Sequence, residues 1–151
     1  MNSVATLFLF LLLIGNVVLF FVSKTQCARH NSFGITRKLS FLGMFVWGDV
    51  LMLAPFWIGV SILCLILQDW WLFLLIVSAF WLVRGIGETL YWFLQQFATV
   101  KRDPPESLAG YRFVKNESIW FMYQVMWQCL TVISLIATIY TAYMWLSVVT
   151  A

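Results

Sequence analysis

Charge is what this 151-residue chain has least of: 10% of its residues are Asp, Glu, Lys or Arg, where soluble domains carry about 25%. That scarcity excludes a water-soluble globule, because too few polar side chains exist to cover its surface. It also excludes a disordered chain, which needs low hydrophobicity and high net charge. Histidine occurs once, at His30. Paired-imidazole haem ligation is thereby excluded, and His30 reads as a solvated loop residue because a metal site needs further ligands beside it. The three cysteines, Cys27, Cys64 and Cys129, contain no Cys-x-x-Cys spacing and build no disulfide framework; they read as small apolar packing groups. The chain also lacks internal repeats, a glycine-rich phosphate loop and a Ser/His/Asp arrangement. No cofactor and no metal is expected. A net charge of +3 is too small to imply a nucleic-acid partner.

What the chain has in abundance is apolar surface. Its residues are 63% hydrophobic, with nine Trp and fourteen Phe, and mean hydropathy is +0.93. A bilayer-spanning helix needs about 20 mostly apolar residues. Four segments meet that length: about Val4–Val22, Phe41–Leu67, Trp70–Phe97 and Ile119–Val149. No stretch alternates polar and apolar with period two, so a membrane β-barrel is excluded. Residues 1–151 are therefore expected to form a single all-α domain, a polytopic membrane protein built as a four-helix bundle.

The first segment is expected to be a retained helix rather than a cleaved leader. Its positive charges, Lys24 and Arg29, follow the apolar run instead of preceding it. Eight of the nine basic residues lie in the linkers 23–40 and 98–118: Lys24, Arg29, Arg37, Lys38, Lys101, Arg102, Arg112 and Lys115. Basic loops stay cytoplasmic. Both linkers are thus expected inside and both termini outside, in a plasma (bacterial inner) membrane. Trp70, Trp71, Tyr143 and Trp145 are expected at the outer aromatic belt, and Trp92 and Trp120 at the inner one. On this topology the sequon Asn116-Glu117-Ser118 is cytoplasmic, and Ser118 reads as a chance match or a helix N-cap.

Three ionisable residues fall well inside the apolar segments: Asp49 in the second, Arg84 and Glu88 in the third. Such groups are costly in a bilayer and usually face the bundle interior. At 1.5 Å per residue, Asp49 is expected roughly 12 Å deep, Glu88 roughly 13–14 Å and Arg84 roughly 20 Å. The hairpin of the second and third segments would let Asp49 reach Arg84 or Glu88. Arg84, Glu88, Tyr91 and Gln95 share one helical face, and Gln124, Gln128 and Thr131 form a similar stripe. With Asn16 these residues suggest a polar cluster in the cytoplasmic half. Ser134, Thr138 and Ala142 recur every four residues as a small-residue packing seam.

Two explanations of the cluster stay open. In one it is structural, with Arg84 neutralising a carboxylate and the glutamines bonding across helices. In the other it handles a proton, ion or polar solute, because two acids face one base. The first leads to a non-enzymatic subunit or scaffold that binds itself or other membrane proteins within the lipid bilayer. The second leads to a small transporter or channel using Asp49, Arg84 and Glu88. An enzyme has the least support, since a carboxylate pair without nucleophile or metal ligands is weak evidence for one.

Overall fold

The computed structural model describes residues 1–150; the side chain of Arg37, one of the orienting cations, lies outside the described residues. The protein is 80% helical, without strands among the described residues. Its helices are α1 (Ser3–Ala28), α2 (Trp47–Leu67), α3 (Trp70–Phe97), the single turn α4 (Tyr111–Val114) and α5 (Ser118–Val149). Four of these, α1, α2, α3 and α5, are long and apolar enough to cross a membrane. The chain is thus an all-α, integral multi-pass membrane protein. It divides into two compact units, 1–76 and 77–151, with the boundary inside α3.

In the first unit α1 lies along α2. α1 opens on Asn2, whose side chain accepts from the Ala5 amide at 2.9 Å, a standard way to satisfy an orphan helix-terminal N–H. The helix then outruns its expected end at Val22 and continues to Ala28. Nothing in Ser23-Lys24-Thr25-Gln26 breaks a helix, and the Ser23 and Thr25 hydroxyls fold back onto the Phe20 and Phe21 carbonyls. Loop residues begin only at Arg29, followed by His30 at φ 59°.

The expected start of the second span at Phe41 is corrected by six residues. Arg37–Leu42 is a 3-10 helix that stops at Gly43, where φ is 72°. Val46 is extended and pairs with Ile35 in an isolated antiparallel bridge. Thr36 holds this turn together, donating from its amide to the Phe45 carbonyl and from its hydroxyl to the Met44 carbonyl, both at 2.8 Å. The linker then supplies what the α2 N-terminus lacks. Trp47 N–H donates to the Gly34 carbonyl at 3.2 Å, and Gly48 N–H to the Ser32 carbonyl at 2.8 Å. Helix-terminal amides with no intrahelical partner must find one elsewhere. α2 runs unbroken through Pro55 to Leu67 and is followed by Gln68 in the left-handed region.

In the second unit α3 packs on α5 along a seam spaced alternately four and three residues apart. On α5 that seam runs through Trp120, Gln124, Trp127, Thr131, Ser134, Thr138 and Thr141, the spacing of two helices crossing at a shallow angle. Trp81 stacks on Trp127 with ring centroids 6.5 Å apart and planes 17° from parallel. Ser78 and Thr141, both buried, share a hydroxyl–hydroxyl bond of 2.9 Å. Gly85 permits a close approach: a Cβ there would fall 2.5 Å from Thr131 Oγ1. α5 begins after Asn116, whose side chain accepts from the Ser118 amide at 2.9 Å. The capping side chain is therefore Asn116 and not Ser118.

Candidate functional site

Asp49 sits in the first turn of α2, not eight residues into a helix. Its Oδ2 accepts from the Phe45 amide at 2.9 Å and the Val46 amide at 3.4 Å. This is the acidic half of a capping box, with the carboxylate reaching back to amides that precede the helix. Its charge also complements the positive end of the helix dipole. The sequence predicted a charge stranded at depth because the apolar run begins at Phe41, whereas the helix begins only at Trp47.

Arg84 and Glu88 are one turn apart on α3 and close on each other at 3.1 Å, with side chains 25% and 15% exposed. The pair needs no second helix to form, since residues four apart on a helix are neighbours. Between them Gly85 presses on α5 while Gly87 meets nothing. In the first unit Asn16 is 1% exposed. Its Nδ2 donates back to the Leu12 carbonyl at 2.8 Å, and its Oδ1 has no partner among the described residues.

The richest polar arrangement lies where the 98–117 linker folds over the end of α3 and the start of α5. Lys101 turns back and donates to the Gln95 and Gln96 carbonyls at 2.8 and 3.3 Å. A cation at a helix C-terminus satisfies orphan carbonyls and suits the dipole. The same ammonium lies 4.4 Å from the centroid of the Trp120 ring, within cation–π range. Trp120 Nε1 donates to the Asp103 carbonyl at 3.0 Å, and the Tyr91 hydroxyl donates to the Asp103 carboxylate. Gln96 Nε2 donates to Gln124 Oε1 at 2.7 Å, joining α3 to α5 directly. Tyr123 donates to the Ala109 carbonyl at 3.2 Å, and its ring lies 4.6 Å from that of Trp92.

The structure therefore brings Tyr91, Gln95 and Gln124 to one end of the α3–α5 pair and places Arg84 and Glu88 further along α3. Gln95 is buried, and its Oε1 has no partner among the described residues. Gln128 departs from the expected stripe. It is exposed, whereas Gln124 and Thr131 face α3. Trp92 and Trp120, expected at the inner aromatic belt, are 7% and 0% exposed and belong to the packed end of the unit. Ser134 and Thr138 lie on the seam toward α3, and Thr138 donates to the Ser134 carbonyl at 2.7 Å. Ala142 is half-buried one position beyond Thr141.

Sequence reasoning did not single out Gln96, Lys101 or Asp103 as cluster members. Lys101 carried a usable signal, a lone ammonium just past the end of a helix, which favours bonding to the last carbonyls. Asp103 carried none, because its register against Tyr91 depends on the linker fold. A cleft of about 600 Å³ in the first unit is lined by Asn2, Phe8, Trp70, Phe73 and neighbouring apolar side chains; it holds no titratable side chain. Among the described residues no three His, Cys, Asp or Glu side chains gather where a metal ion could bind. The chain matches no model of a known protein family, no curated protein and no solved structure.

Proposed function

We propose that this protein is a non-enzymatic membrane subunit or scaffold, working by association with itself or with other membrane proteins. The observation that carries the proposal is that the three charges of the apolar segments each bond to groups close by in sequence. Arg84 and Glu88 pair within one turn of α3, and Asp49 serves the amides at the head of α2. Charges that bond to groups within four residues of themselves support the structural explanation over a charged path for solute. The basic linkers support a plasma (bacterial inner) membrane setting with both linkers cytoplasmic and both termini outside.

Two measurements test it. Native mass spectrometry of the full chain, extracted from its own membrane in lipid nanodiscs, is expected to give a complex of fixed stoichiometry. Recovery as a monomer alone overturns the proposal. Proteoliposomes of the wild type are expected to show no proton, ion or polar-solute flux. A flux that Glu88→Gln abolishes in a folded protein would establish the transport alternative, with Asp49, Arg84 and Glu88 as its residues.

A further inference from the structure

α5 carries a second seam, rotated about 100° from the first because each of its positions is one residue later. It runs through Phe121, Val125, Gln128, Val132, Leu135, Ile139 and Ala142 to Leu146, again alternating four and three. Its members other than the half-buried Ala142 are exposed. One position of an otherwise apolar seam is an amide. Gln128 stands about 15 Å along a helix about 48 Å long, which puts it about 9 Å from the helix midpoint. A centred span would hold that amide inside the hydrocarbon, whose half-thickness is about 15 Å. A primary amide facing lipid lacks the hydrogen bonds it would have in water.

We infer that the Phe121–Leu146 seam of α5 is a self-association face, on which two copies of this chain pair in parallel with their Gln128 amides bonded to each other. An amide is both donor and acceptor, so each Nε2 can donate to the partner's Oε1 across a two-fold axis. Copies inserted with the same topology bring Gln128 to Gln128 at equal depth. An antiparallel pairing would set Gln128 against Ile139 and leave the amide unsatisfied. A single polar residue in an apolar heptad seam also fixes register and partner number, as it does in soluble coiled coils. The inference rests on the scaffold reading and names its partner, a second copy of this chain.

The test uses the full-length chain in phosphatidylcholine–phosphatidylglycerol liposomes, with energy transfer between donor- and acceptor-labelled copies followed as lipid dilutes them. The wild type is expected to associate. Gln128→Leu should weaken association about eightfold, the effect of two interhelical hydrogen bonds of typical strength. Gln128→Asn should retain most of it. In a chain whose three cysteines are replaced by alanine, Val132→Cys is expected to cross-link between copies under mild oxidation and Ile133→Cys is not. Undiminished association of Gln128→Leu, or cross-linking through Ile133→Cys instead of Val132→Cys, overturns the seam and leaves the scaffold reading standing. A wild type that stays monomeric in liposomes overturns self-association, and the native-membrane complex then decides the scaffold reading separately.

Discussion

Gly85 offers the most direct probe of the α3–α5 packing, because its neighbour two positions on provides an internal control. A Cβ at position 85 would stand 2.5 Å from Thr131 Oγ1, 3.3 Å from Thr131 Cα and 3.4 Å from Thr131 Cβ. Ordinary carbon contacts begin at about 3.5 Å, so the hydroxyl would have to retreat by about 1 Å and the α5 backbone by a few tenths. The hydroxyl is not free to do so, since it donates to the Trp127 carbonyl at 2.8 Å. A Cβ at Gly87 meets nothing within 4 Å. Replacing glycine by alanine inside a helix gains about 1 kcal/mol of helix propensity at either site. Overpacking costs about 1–3 kcal/mol and applies only at position 85.

Gly85→Ala should therefore be less stable than Gly87→Ala by about 1–3 kcal/mol, a difference from which the propensity gain cancels. Unfolding by dodecyl sulfate in mixed micelles, read by tryptophan fluorescence, measures it. The stacked Trp81 and Trp127 rings flank the site and supply the signal. Adding Thr131→Ala to Gly85→Ala should recover part of the loss by removing the hydroxyl, while Thr131→Ser, which keeps it, should recover none. Equal stability of the two alanine variants, or equal rescue by Ala and Ser at 131, would refute the close approach.

Two further substitutions test the helix ends. Asp49→Ala should cost about 1 kcal/mol by orphaning the Phe45 and Val46 amides, with Asp49→Asn closer to wild type; hydrogen exchange across 44–49 should quicken in the alanine variant, and unchanged exchange would remove Asp49 from the cap. Lys101→Met should lose both carbonyl bonds at the end of α3 together with the cation over Trp120, at a cost of about 1–2 kcal/mol. Its near-ultraviolet circular dichroism should change in the tryptophan region, and a spectrum identical to wild type would separate Lys101 from Trp120.

Much of the helical architecture was legible because bilayer crossing imposes a length and a polarity that composition alone reveals. The start of α2 was not legible. Apolar residues continue from Phe41 through Phe45, and hydropathy cannot distinguish a helix from a turn that satisfies its own amides through Thr36. The misplaced start turned Asp49 from a capping residue into an apparent buried charge. Gly43, at φ 72°, was the local sign of the break.

α5 shows the opposite difficulty. Its sequence is apolar on every side, so periodicity gives no preferred inner face, and Gln124 and Gln128 looked equivalent at one helical turn apart. Packing separates them. Gln124 accepts from Gln96 at 2.7 Å, whereas Gln128 falls on the exposed face. The α3 side was chosen by the groups that fit it: Gly85 admitting Thr131, Ser78 meeting Thr141, and Trp81 lying flat on Trp127. In a bilayer, lipid satisfies apolar side chains almost as well as protein does, so hydrophobicity does not decide which face of a helix turns inward. Steric fit and hydrogen bonding decide it instead. The polar residue with no hydrogen-bond partner among the described residues then becomes the most informative one on the helix, because the bilayer offers it none.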